Sequence, residues 1–392
     1  MPSEYCLNNV DIEDFLLNYW QKKPVVIRQG IHSLADLLTP NELAGLSCEE
    51  EAESRIIIEN KASDVNHTDS RQRFDLLHGP FNEDTFETLA DCNWTLLVQA
   101  VDHWLPEVAD LLNHFRFIPR WRIDDVMVSY APEGGSVGAH YDNYDVFLIQ
   151  GAGKRRWKVG PTYSSNSPLQ DNDQLRLIAD FTTNEEYLLE AGDILYLPPL
   201  YGHHGISESH DCMTYSIGFR APSHADLLSD FCDHQIENLA EELRYSDPNL
   251  SQPLNHAEIS DDTIKQVQAI LLEQIANTEN ISQWFGKYVT QSKYPRSEDS
   301  HTQAIDDYLT PDHIIYRDPA SRFSFLHNDT ATTLFVNGHG YECDLPFAQY
   351  ITDYVESTGL ELKPFAAQAN HKHILETLFA QGALYFASTM DD

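Results

Sequence analysis

The sequence predicts a mixed α and β protein whose centre is an antiparallel β sandwich or barrel, followed by a helical segment and a smaller last domain. Between Ile123 and Arg220, short apolar and β-branched runs are separated by Gly and Pro turns: Val126–Tyr130, Val146–Gln150, Arg155–Val159, Ile194–Leu197 and Met213–Phe219. No long helix intervenes, which argues for antiparallel pairing rather than βαβ units. After Arg220-Ala221-Pro222 the apolar period becomes helical. A chain of 392 residues, 42% hydrophobic, has enough apolar side chains for two or three cored domains.

Before the strand-rich region, helical stretches (Asp11–Trp20, Glu83–Ala90) mix with short β runs (Pro24–Arg28, Arg55–Ile58), a lead-in to the sheet. After it, Ser223 and Asp226 have the spacing of a capping box, and Leu228, Phe231, Leu239 and Leu243 fall near one helical face. A second helix carries Ile264, Val267, Leu271 and Ile275. Such stripes pack on each other or on a second subunit. The polar stretch Ser292–Thr302, with Pro295, reads as a linker. Beyond it the sequence predicts a hairpin, Arg322–Leu326 with Thr332–Val336 and an Asn337-Gly338 turn, then helices near Phe347–Ser357 and His371–Ala380. With only Arg317, Arg322, Lys363 and Lys372 among many acids, this end reads as a structural or protein-contacting module rather than a DNA reader.

The net charge of -37, from 25 basic and 62 acidic residues, repels phosphates and anionic membranes, so direct nucleic-acid or membrane binding is not expected. The acids keep the chain soluble, or attract a cationic macromolecule; charge alone does not choose. The six cysteines (Cys6, Cys48, Cys92, Cys212, Cys232, Cys343) form no Cys-x-x-Cys pair, which fits a reducing compartment. Met1-Pro2-Ser3-Glu4 opens no signal-like pattern and no apolar run reaches spanning length, so the expected location is cytoplasmic.

The chemistry-bearing residues lie in the strand region. Gly134-Gly135-Ser136-Val137-Gly138-Ala139-His140-Tyr141-Asp142 sets His140 and Asp142 two apart, on one face of an extended segment. Gly192-Asp193 opens a second apolar strand that turns at Pro198-Pro199 and delivers His203. Two histidines and a carboxylate form the facial set that suits Fe(II) with open positions, though zinc accepts the same atoms. Each piece alone is common. A Gly-rich run, His-x-Asp, a continuous apolar strand, a basic strand, then Gly-Asp and a late histidine, in that order, is not.

In this order of motifs the chain resembles the cupin-like JmjC oxygenases, and within them the bacterial ribosomal oxygenases. The likeness extends from Phe15-Leu16-Leu17-Asn18-Tyr19-Trp20-Gln21-Lys22-Lys23-Pro24 through Ser216-Ile217-Gly218-Phe219-Arg220-Ala221-Pro222 to the acidic end. It implies a double-stranded β-helix (jelly roll) catalytic domain with N-terminal extension at 1–222, a helical dimerisation segment at 223–292 and an acidic winged-helix-like domain at 303–392. It further implies Fe(II) held by His140, Asp142 and His203, with 2-oxoglutarate and O2 as cosubstrates. The expected reaction is hydroxylation of an arginine in a basic ribosomal protein, large-subunit protein sixteen, by a homodimer.

A buried dicarboxylate also needs a cation at its far end. Of Lys154, Arg155, Arg156 and Lys158, strand alternation turns Arg155 inward with Trp157 and Val159, and the resemblance places the 2-oxoglutarate cation at the same point. Ser129 matches the position that adds a hydroxyl to that carboxylate. Two departures stand out: Leu200 replaces a glycine of the cupin pattern, and His204 is a rival to His203, which the spacing from Gly192 and Pro198 favours. His210, Asp145 and Asp211 read as structural or solvent-facing. The related activities left open are histidyl hydroxylation and lysyl demethylation, beside a non-catalytic metal-binding cupin.

Overall fold

Strands form where the sequence alternates, and their pairing builds the scaffold for the site. The computed structural model describes residues 7–32, 34, 37–60, 73–172, 174–294, 314–329, 331–353 and 359–386. Two compact units divide after Ala221.

The first unit contains the helices α1 (Ile12–Asn18), α2 (Pro40–Leu46), α3 (Glu83–Glu87) and α4 (Pro106–Ala109). Its strands are β1 (Val25–Ile27), β2 (Ser54–Asn60), β3 (Arg73–His78), β4 (Trp94–Val98), β5 (Ile123–Ala131), β6 (Asp145–Ala152), β7 (Lys154–Thr162), β8 (Glu185–Glu190), β9 (Ile194–Leu197), β10 (Tyr201–Ser207) and β11 (Cys212–Phe219). An eight-stranded sheet runs in the order β1-β9-β6-β11-β5-β4-β2-β3, and a three-stranded sheet in the order β10-β7-β8. The strands of both pair antiparallel. This is the jelly roll that the sequence predicts.

β6 shows how the core is divided. It is buried along nearly its whole length, because both of its faces are covered. Phe147 and Ile149 join Phe15, Phe115, Tyr196 and Phe219 in the larger core, where the N-terminal extension covers the big sheet. Val146 and Leu148 face the other way, packing with Leu195 and Leu197 of β9 and with Trp157, Val159 and Leu189 of the small sheet. A buried phenylalanine or leucine contributes about 1.5–3 kcal/mol, so these two clusters fix the spacing of the sheets. Asp145 ties the extension to the sheet: it is wholly buried and accepts from Tyr196 Oη (2.6 Å), Gln21 Nε2 (2.9 Å) and Arg122 Nη2 (3.1 Å).

In the second unit, Ser223 and Asp226 form the expected capping box of α5 (His224–Asn238). It is followed by α6 (Asp261–Ile275) and α7 (Thr278–Thr290). Leu239 and Leu243 lie beyond the end of α5 and are exposed, so the helix is shorter than its apolar spacing suggested. The strands β12 (Ile315–Arg317), β13 (Phe323–His327), β14 (Thr332–Val336) and β15 (His339–Cys343) precede α8 (Leu345–Thr352), α9 (Lys363–Ala366), α10 (Ala369–Ala380) and β16 (Leu384–Phe386).

β13, β14 and β15 form a meander, and β12 pairs with β16. The Asn337-Gly338 turn joins β14 to β15, not the two strands first assigned to it. Both residues have positive φ (48° and 83°), as a two-residue hairpin turn requires. Residues 295–302 of the expected linker lie outside the described residues.

Candidate metal centre and cosubstrate pocket

The chain leaves β5 through a turn in which Gly134 and Gly138 take φ of +76° and +83°, conformations that exclude most side chains. A Cβ at Gly138 would also meet Leu177 at 2.8 Å. The glycines thereby lay residues 136–140 along the free edge of β10, through bridges Ser136–Ile206 and His140–His203. The two histidines exchange backbone hydrogen bonds, His140 N to His203 O at 3.0 Å and His203 N to His140 O at 2.8 Å. Their ring centroids are 4.2 Å apart.

Asp142 completes the cluster. One ligand atom from each of His140, Asp142 and His203 lies within 4.8 Å of the others, and His203 Nε2 stands 3.6 Å from Asp142 Oδ2. His140 Nδ1 faces Gly138 O and His203 Nδ1 faces Tyr201 O, each at 3.0 Å. A carbonyl only accepts, so each Nδ1 donates, and Nε2 is the nitrogen left to hold a metal. Burial, with His140 alongside, pushes His203 down to about 4, so its ring is neutral at neutral pH. Two imidazoles and a carboxylate converging in this way form a ligand set for a divalent cation.

His204 turns elsewhere. Its Nε2 meets Ser136 Oγ at 3.0 Å and its ring stands edge-on to Phe181. Burial, with Lys158 nearby, also holds it down to about 4. Leu200, at φ +71°, adopts the conformation for which a glycine is the usual residue, and its N–H donates to Asp142 O at 2.6 Å.

The basic strand alternates as predicted. Lys154 pairs with Glu190 at 2.6 Å, and Arg156 pairs with Glu186 and Glu208 on the solvent side. Arg155 points inward and is 2% exposed. Its Nη1 donates to Ser129 Oγ (3.2 Å) and Thr214 Oγ1 (3.3 Å), its Nε has no partner, and no carboxylate among the described residues pairs with it. Burial lowers its pKa from the ordinary guanidinium value. The structure thus brings Ser129 and Arg155 together across the two sheets, and adds Thr214, which the sequence reading missed. Thr214 pairs with Ser129 in register, so a polar residue in the apolar run Met213–Phe219 was the available signal. His210 is exposed beside Glu133, and Asp145 is committed to its buried network.

The sheet architecture is shared with known proteins. Ribosomal protein uL16 3-hydroxylase of Escherichia coli (strain K12) is 40% identical over 281 residues, 72% of each chain. This chain belongs to the JmjC ribosomal oxygenases. The family model for the JmjC domain matches residues 110–227 of this ribosomal oxygenase. A probable ribosomal oxygenase of Haemophilus influenzae is 34% identical over 322 residues, 79% of this chain and 75% of that one. The structure of E. coli YcfD, a ribosomal oxygenase, in complex with cobalt and 2-oxoglutarate superposes with a TM-score of 0.82 at 33% identity, covering 98% of this chain and 100% of that one.

Proposed function

We propose that this ribosomal oxygenase uses Fe(II), 2-oxoglutarate and O2 to hydroxylate an arginine side chain of a large-subunit ribosomal protein, uL16. The observation that carries the reading is a three-residue metal ligand set next to a buried guanidinium with no carboxylate partner among the described residues. His140, Asp142 and His203 hold the metal. Arg155, with Ser129 and Thr214, holds the distal carboxylate of 2-oxoglutarate. The donor set fits Fe(II), and a buried cation without a counter-charge fits a dicarboxylate better than any neutral ligand. When bound, the metal and cosubstrates supply oxidative decarboxylation of 2-oxoglutarate to succinate and CO2, coupled to insertion of one oxygen atom into a C–H bond.

The protein's own part is placement. The backbone carbonyls of Gly138 and Tyr201 fix the two imidazoles in the tautomer that offers Nε2. A cationic side chain is favoured by Tyr144, 42% exposed, whose phenol sits in the field of Asp142, Asp125 and Asp124. An aromatic wall backed by carboxylates receives a guanidinium through cation–π and charge interactions. The net charge of -37 draws a basic protein and repels RNA.

The enzyme acts as a homodimer in the cytoplasm, where ribosomal protein is made. Support for the dimer comes from α6, in which no residue is buried and Ile264, Leu271 and Ile275 are about half exposed or more. Among the described residues, no helix is long and apolar enough to cross a membrane. The test is succinate release from 2-oxoglutarate with Fe(II), with and without uL16. Release that rises with uL16 and vanishes in Asp142→Ala is expected; release indifferent to uL16 would point to another substrate, and none at all to a non-catalytic cupin.

A further inference from the structure

Two buried N–H donors on neighbouring inward positions of β7, Arg155 Nε and Trp157 Nε1, have no acceptor among the described residues. Trp157 is the next inward residue after Arg155 on β7 and is 4% exposed. The guanidinium carbon of Arg155 lies 5.2 Å from the indole centroid, and the His203 ring lies 6.0 Å away from it. The indole therefore bridges the cation and the metal-ligand cluster.

Its position is set by a glycine. Gly205 faces Trp157 across the β10–β7 ladder, and a Cβ there would approach Cη2 and Cζ3 of the indole at 2.7 Å and Arg155 Nε at 2.8 Å. The six-membered ring is the part packed against Gly205, while the N–H belongs to the other ring. Packing against Gly205 uses the far edge of the six-membered ring and makes no use of the N–H. An indole N–H buried with no acceptor is costly, and two such donors in adjacent inward positions point to one shared acceptor. A carboxylate suits them, since its two oxygens have about four lone-pair sites, enough for the guanidinium, the indole and the flanking hydroxyls.

We propose that Trp157 is a cosubstrate-binding residue whose indole N–H donates to the carboxylate held by Arg155. The inference rests on the 2-oxoglutarate reading above and adds a neutral donor to it. It makes the anion site part rigid ring and part cation, so that affinity depends on the indole nitrogen as well as on charge.

The experiment compares wild type with protein carrying 3-benzothienylalanine at position 157, the tryptophan isostere with sulfur in place of N–H, by calorimetric titration of 2-oxoglutarate into Mn(II)-loaded protein. The isostere keeps both rings, and with them the packing against Gly205 and Arg155, and replaces only the N–H by sulfur. Loss of one charge-assisted hydrogen bond weakens 2-oxoglutarate binding about tenfold. Mn(II) affinity is unchanged, and so is binding of 2-oxobutyrate, a 2-oxo acid without the distal carboxylate. The thermal midpoint of the ligand-free variant is not lowered, because the lost donor had no partner. Equal 2-oxoglutarate affinity in the two proteins overturns the proposal, as does an equal loss for 2-oxobutyrate, which would mean general disruption. Wild type that takes Mn(II) but not 2-oxoglutarate would instead sink the cosubstrate reading itself and this inference with it.

Discussion

The distinction between two adjacent histidines decides the metal site. His203 shares a ladder with His140 and turns its Nε2 toward Asp142, whereas His204 is spent on Ser136. His203→Ala should therefore abolish Fe(II) binding, while His204→Ala retains it; iron titration of the two variants checks this, and inactivity of His204→Ala alone would reverse the assignment. At Arg155 the sequence was informative because β7 alternates strictly, and the two flanking cations are occupied by Glu190, Glu186 and Glu208. Arg155→Ala should raise the KM for 2-oxoglutarate far more than Arg156→Ala, since only the buried cation can pair with a desolvated carboxylate. Equal effects would indicate a diffuse field. Thr214 and the unpartnered indole of Trp157 were not legible, because they depend on cross-strand register and on the absence of an acceptor, neither of which is local in sequence.

At the scale of elements, turns place these side chains. The Gly192-Asp193 turn, read from the sequence as a strand start, is held by Asp193, which accepts from Gln29 N, Glu190 N and Arg28 Nη1. Burial alone would raise its pKa, but those donors outweigh it and hold the carboxyl below its ordinary range. A carboxylate depressed in this way stabilises the fold above the unfolded-state pKa, and that contribution is lost as pH falls through the folded-state value. Asp193→Asn should flatten this acid limb in urea denaturation midpoints measured across pH; an unchanged slope would remove Asp193 as its source.

Leu200 departs from the cupin glycine and still takes φ +71°. A leucine held there costs roughly 1–2 kcal/mol, so Leu200→Gly should preserve or raise the thermal midpoint, whereas β-branched Leu200→Val lowers it. The sequence reading flagged the position, but not that the backbone had kept the glycine conformation. It also attached the Asn337-Gly338 turn to the wrong strand pair, because a third strand with Gly340 and alternating polar residues gave little apolar signal.

For the whole molecule, the jelly roll was legible in the order of its strands. The second unit was less so, because its helices display apolar residues that its own packing does not use. Leu228 and Ile236 of α5 and Leu271 of α6 are each more than 60% exposed. Exposed apolar side chains of this kind suit the proposed dimer; on that proposal Leu271→Glu with Ile264→Glu yields a monomer in sedimentation equilibrium, with metal binding unchanged. Wild type that sediments as a monomer would contradict the dimer.

The central claim, arginine hydroxylation of uL16, is tested most directly by locating the product oxygen. Incubating the enzyme with Fe(II), 2-oxoglutarate, O2 and uL16 from the same organism, followed by tandem mass spectrometry, should place one added oxygen atom on an arginine side chain. Oxygen on a histidine, loss of methyl groups from lysine, or an unmodified uL16 despite full succinate release would contradict it.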